Sequence, residues 1–132
     1  MASWVIDGQL ARGQRPGRKH GGPVSTSTID DWLEKHRAMG IRSIICLLHD
    51  DQLKLYDDTP GGLLTRYKEA GFELEHVPAY DYQHPPLTQN HLKDIWRAYQ
   101  SLPKPILVHC SAGVDRTGLA VNYIRKQLDA EQ

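Results

Sequence analysis

The sequence predicts an α/β fold, with a central, mainly parallel sheet of four to five strands flanked by helices on both faces. Three observations lead there. Short apolar runs rich in β-branched residues alternate with stretches of helical periodicity, the pattern of crossover connections between parallel strands. No internal repeat, low-complexity tract or linker divides the 132 residues, so residues 1–132 read as a single compact domain. The longest apolar run, Ile44 to Leu48, fits a buried strand and is far too short to span a bilayer.

Taken in order, Trp4 to Ile6 reads as the first strand. Ser27 or Thr28 caps a helix in which Ile29, Trp32, Leu33 and His36 or Arg37 recur on one face, and Gly40 stops it. A strand follows from Ile41 to Leu48. Leu63 to Ala70 is helical and ends at Gly71, ahead of a strand from Phe72 to Val77. The next helix begins at Thr88 and carries Leu92, Ile95, Trp96 and Tyr99 along one face. Pro105 to His109 forms the last strand, and the final helix starts near Arg116. In such a sheet, ligands bind beyond the C-terminal ends of the strands.

Composition narrows the function. Lys+Arg and Asp+Glu each number 16, so the formal net charge is zero, which excludes a protein that binds nucleic acid chiefly by neutralising phosphates. Cys46 and Cys110 are too few for a secreted disulfide framework. The N-terminal residues reach Asp7 without the basic-then-apolar order of a signal peptide. A monomer in a reducing, cytoplasmic setting is the expectation.

The informative stretch is Ile106-Leu107-Val108-His109-Cys110-Ser111-Ala112-Gly113-Val114-Asp115-Arg116-Thr117-Gly118. An apolar strand runs into small residues and then into a helical pattern. A loop there aims successive backbone N–H groups inward, and the helix N-terminus adds its positive dipole end. Such a cup suits a tetrahedral oxyanion. Ser111, Ala112, Gly113, Val114 and Asp115 would line it, with Gly113 allowing a positive φ. Cys110 at its base meets surroundings that favour a thiolate nucleophile. Arg116 can fold its planar fork over two phosphate oxygens, and Thr117 offers a hydroxyl near the sulfur. A buried, inert cysteine beside a capping arginine is the bland alternative.

At His109, Cys110, Arg116 and Thr117 the sequence resembles the cysteine-dependent protein tyrosine phosphatase superfamily, whose loop reads His-Cys-x5-Arg-Ser/Thr. Members often carry glycine where this chain has Asp115. The resemblance extends over roughly Ile29 to Gln127 and points to the compact dual-specificity branch, while Leu10 to Pro16 looks like the entry segment of small bacterial-type members. It implies a protein tyrosine phosphatase-like fold, a cysteinyl-phosphate intermediate, and neither metal nor cofactor. It also implies that His109 helps hold the cysteine and loop in place.

Expelling an alkoxide or phenoxide needs a proton donor from another loop. Asp81, just beyond the strand ending at Val77, is the candidate; a turn residue is its bland reading. Asp115 is the rival acid, since myotubularin-like lipid phosphatases carry Asp there, but helix-start electrostatics is favoured. Cys46 reads as a core residue. In some family members a second cysteine near this strand protects the oxidised nucleophile by a disulfide, which makes Cys46 a candidate redox partner.

The expected substrate is a phosphorylated protein or small phosphate ester: phosphotyrosine first, with phosphoserine and phosphothreonine accepted. A phosphoinositide or inositol phosphate is the alternative, ahead of sulfur transfer, arsenate reduction or a non-catalytic phosphate-binding module. Two weaker signals read as surface. The basic stretch Gly13 to Gly22 misses the spacing of a nucleotide-binding loop; its side chains either border the active-site mouth and attract phosphorylated substrates or, the favoured reading, form a solvated flexible loop. Asp50, Asp51, Asp57 and Asp58 are taken as an exposed acidic loop rather than a metal site.

Overall fold

The structure is a computed structural model that describes residues 2–81 and 83–131. Among the described residues five strands and five α-helices follow one another as β1 (Ser3–Ile6), β2 (Leu10–Gln14), α1 (Thr26–Ala38), β3 (Ser43–Cys46), α2 (Asp50–Leu53), α3 (Gly62–Glu69), β4 (Glu73–His76), α4 (Gln89–Ser101), β5 (Ile106–Cys110) and α5 (Asp115–Ala130). The strands form one sheet in the order β1-β2-β5-β3-β4. Only the β1–β2 pair is antiparallel; β2–β5, β5–β3 and β3–β4 are parallel. The α/β architecture with a mainly parallel sheet is the one the sequence predicts.

Alternation along the central strand divides the core. In β5, Ile106, Val108 and Cys110 join a cluster with Ile95 and Tyr99 of α4 and Ala120, Val121 and Ile124 of α5. Leu107 faces the other way, into a cluster with Ile29 and Leu33 of α1 and Leu63 and Tyr67 of α3. A strand buried on both faces reads as a continuous apolar run, which is why β5 and β3 were visible by composition.

Three local readings change. β2 was not anticipated as a strand: Arg12, Gly13 and Gln14 carry no β-branched signal, yet Leu10 to Gln14 pairs residue for residue with Ile106 to Cys110. α1 is capped by Ser25, whose extended backbone lets its Oγ accept from the Thr28 amide at 3.3 Å; Ser27 and Thr28 lie inside the first turn. Asp50 and Asp51 are not loop residues but the first turn of α2, capped by His49, where carboxylates oppose the positive helix end. They remain exposed. α4 begins as expected after Thr88, whose Oγ accepts from the His91 amide while the His91 ring accepts from the Thr88 amide. Among the described residues no helix is long and apolar enough to cross a membrane.

Candidate active site

The strand, loop and helix read from residues 106–118 are present, with β5 ending at Cys110 and α5 beginning at Asp115. Val114 holds the N-cap position, and no side chain caps α5. The first amides of the helix are therefore left open to an anion. Gly113 has φ 76°, and a Cβ there would sit 2.4 Å from the Gly13 carbonyl oxygen. Both the turn and the close approach of β2 to the loop require glycine. Cys110 is buried, with only 3% exposure, and both cysteines are free thiols.

Arg116 is 1% exposed, and its guanidinium is divided. Nη1 donates to the Leu47 carbonyl at 3.2 Å, the Ala79 carbonyl at 2.7 Å and Gln52 Oε1 at 2.9 Å. Among the described residues Nε and Nη2 make no hydrogen bond, and neither does the buried Thr117 hydroxyl. The Asp81 carboxylate stands 3.5 Å from Nη2 as an ion pair and is about one-third exposed. Buried donors without acceptors are rare in folded proteins. Here three such atoms belong to two adjacent residues, Arg116 and Thr117, and the Nε–Nη2 edge has the spacing of a bidentate oxyanion clamp.

His109 is buried and its tautomer follows from its partners. Nδ1 faces the Cys110 carbonyl at 3.1 Å, which can only accept, so Nδ1 carries the proton. Nε2 then accepts from the Tyr67 hydroxyl at 2.9 Å. The indole of Trp32 stacks on Tyr67 and meets His109 edge-on, and its N–H donates to the Gln14 carbonyl. Burial pushes the His109 imidazole down from 6.5 to about 4, so the ring is neutral, and it pushes the Tyr67 phenol up. A neutral donor–acceptor chain thus runs from α3 to the backbone of Cys110.

β2 supports the loop from outside. Arg12 donates to the Gly113 carbonyl through Nε at 3.3 Å and Nη2 at 2.8 Å, and to the Val114 carbonyl through Nη2 at 3.2 Å. The Arg15 amide donates to the Ser111 carbonyl at 3.0 Å and its Nε to Ser111 Oγ at 3.2 Å. Arg15, read from the sequence as part of a solvated stretch, is buried and also donates to the Tyr56 hydroxyl. Arg18 and Lys19 of the same stretch are exposed.

The structure thus assembles Cys110, Ser111 to Arg116, Thr117, His109 and Asp81 at the C-terminal edge of the sheet. Cys46 ends the neighbouring strand, its backbone in register with His109. Cys46 packs in the cluster with Leu107 and Tyr67, Cys110 in the cluster on the opposite face, and burial pushes the Cys46 thiol up to about 12. Asp115 is exposed as the first residue of α5, the position of a helix-start carboxylate. Among the described residues no group of three or more His, Cys, Asp or Glu is placed to hold a metal ion.

Gln52, Tyr67, Arg12 and Arg15 escaped the sequence reading. Only Gln52, three residues after His49 in a capping pattern, carried a local signal.

The family model for Tc-R-P, described as "Polymorphic toxin system, DSP-PTPase phosphatase", matches residues 19–127. The chain belongs to this family. It is a cysteine-dependent phosphatase of the dual-specificity type within the protein tyrosine phosphatase superfamily. The fold is similar to solved structures: Tk-PTP in a mutant form, with a TM-score of 0.63 and 20% identity over 96% of this chain and 71% of that one. The core catalytic domain of the PP-IP phosphatase SIW14 from S. cerevisiae gives 0.57 and 20% over 97% of this chain and 66% of its own length. A putative phosphatase (DUF442) from Shewanella putrefaciens CN-32 gives 0.55 and 18% over 97% and 72%. Comparison with curated proteins finds no match.

Proposed function

We propose that residues 1–132 act as one catalytic domain that hydrolyses phosphate monoesters through a cysteinyl-phosphate, taking protein phosphotyrosine first and accepting phosphoserine and phosphothreonine. The observation that carries this reading is the divided guanidinium of Arg116, anchored through Nη1, with Nε and Nη2 without a hydrogen bond among the described residues and Nη2 ion-paired with Asp81. An anchored guanidinium whose remaining edge faces a partly exposed carboxylate is a preorganised site for charge that develops during reaction.

In the proposed reaction the Cys110 sulfur attacks phosphorus in line while the bond to the leaving oxygen breaks. Arg116 and the amides of Ser111 to Asp115 hold the equatorial oxygens. Asp81 gives its proton to the leaving oxygen, so the product departs as an alcohol or phenol. Water then attacks the phosphocysteine, Asp81 accepts the proton, and the sulfur–phosphorus bond breaks to release inorganic phosphate. The Thr117 hydroxyl donates to the departing sulfur. His109, held by Tyr67, fixes the Cys110 carbonyl throughout. No cofactor or metal enters these steps.

Two exposed apolar residues favour an aryl ester. Val114, in the loop, is 59% exposed, and Tyr80, next to Asp81, is 51% exposed and stacks on His49. Aromatic and apolar side chains at the mouth suit a phenolic ring. A second reading, an inositol phosphate ester, draws on the likeness to SIW14. Both readings place the enzyme as a monomer in a reducing, cytoplasmic setting, where free thiols persist.

A panel of phosphotyrosine, phosphoserine and phosphothreonine peptides and inositol polyphosphates tests the assignment. The highest kcat/KM is expected on phosphotyrosine. A preference for inositol polyphosphates would transfer the assignment to the second reading, and turnover of none would reject both.

A further inference from the structure

β2 contributes more than a place in the sheet. Arg12 on this strand and Arg15 just beyond its end draw four acceptors of the 111–114 loop to the outer side: the Gly113 and Val114 carbonyls by Arg12, and the Ser111 carbonyl and hydroxyl by Arg15. In a planar trans peptide the C=O of one residue and the N–H of the next point in opposite directions. Drawing the Gly113 carbonyl toward Arg12 therefore turns the Val114 amide the other way, while the Val114 carbonyl is shared by Arg12 and the Gly118 amide of α5 at 2.7 Å, which together turn the Asp115 amide. Gly113 lets β2 come close enough for this, since a Cβ there would sit 2.4 Å from the Gly13 carbonyl oxygen.

We infer that Arg12 is a positioning residue of the oxyanion cup, which by gripping the Gly113 and Val114 carbonyls from β2 aims the Val114 and Asp115 amides at the bound phosphoryl group. The inference rests on the proposed reading of the loop as the oxyanion site. Two carbonyls 101 and 102 residues away in sequence are held by one nitrogen, Nη2, and Nε adds a second bond to the Gly113 carbonyl, so that the planar fork grips that oxygen from two sides. Arg12 makes no hydrogen bond to Cys110, Arg116 or Asp81 among the described contacts, so its effect passes through the backbone.

The test compares wild type, Arg12→Ala and Arg12→Lys. Tungstate affinity is measured by titration calorimetry, kcat and KM on phenyl phosphate, and the thermal midpoint alongside. In folded Arg12→Ala, tungstate affinity and kcat are expected to fall by about tenfold or more, short of the ~10²–10³ lost when an oxyanion donor is removed outright. Arg12→Lys keeps the charge but has no counterpart of the Nε bond to the Gly113 carbonyl, so it recovers part of the loss. Full recovery in Arg12→Lys would show that the two-nitrogen grip on that carbonyl is not needed and overturn the inference, as would wild-type tungstate affinity in folded Arg12→Ala. Should Arg12→Ala not fold, the partial loss in Arg12→Lys decides. If wild type binds tungstate but hydrolyses no ester, the proposed function fails while tungstate affinity still reads the role of Arg12; wild type that binds no tungstate removes both.

Discussion

Asp81 meets Arg116 Nη2 at 3.5 Å, at the upper end of a direct contact, from a turn that Arg116 itself holds through the Ala79 carbonyl. One arginine thus ties together the loop after β5 and the turn that follows β4. In the proposed reaction this places the acid beside the clamp without depending on it for burial. A general acid matters most when the leaving group is a poor one. Asp81→Asn is therefore expected to lower kcat by about 10²–10⁴-fold on phenyl phosphate, and by far less on a nitrophenyl ester whose phenoxide leaves unaided. Steady-state rates on the two esters check this; equal losses on both would remove Asp81 from proton transfer. Gln52 works on the same arginine from α2, as one of three acceptors on Nη1.

At the scale of elements, the loop and α5 were readable because the transition from apolar strand to small residues to helical spacing is local. Every residue of the cup lies within a few positions of Cys110. What was not readable depends on tertiary approach. Arg12-Gly13-Gln14 is polar and carries a glycine, and becomes a strand only because β5 offers it a full ladder. Asp50 and Asp51 look like a solvated run until His49 turns them into a capped helix start, which then delivers Gln52 to Arg116. Tyr67 reads as a core residue of α3, and its hydroxyl acquires a purpose only when His109 packs against it.

Asp115 belongs to this scale too. Exposed at the first residue of α5, its carboxylate favours the helix by about 0.3–1 kcal/mol while opposing substrates that carry several phosphates. Asp115→Asn is expected to raise kcat/KM on inositol polyphosphates by several-fold, leave phosphotyrosine peptides little changed and lower the thermal midpoint slightly. Competition kinetics at low salt would reveal the change in preference. An equal effect on both substrate classes would contradict it.

For the molecule as a whole, two buried histidines set the acid limit. Burial lowers His109 from 6.5 to about 4, and His36 is also lowered, chiefly by burial. The unfolded chain takes up protons that the native imidazoles refuse, so unfolding gains on folding as pH falls. The neutral histidines therefore leave stability intact above 6.5 and erode it as pH drops toward 4. The His109 displacement alone corresponds to about 3 kcal/mol across that window. Urea unfolding is expected to show a midpoint that falls between pH 6.5 and 4, less steeply in a folded His109→Asn variant; identical slopes in the two proteins would place the pH dependence elsewhere.

The cysteinyl-phosphate can be sought directly. Acid-quenched turnover of an aryl phosphate, followed by peptide mapping, is expected to find one phosphoryl group on the Cys110 peptide of the wild-type protein, and neither adduct nor turnover in folded Cys110→Ser. Undiminished hydrolysis by Cys110→Ser would contradict the account at its centre.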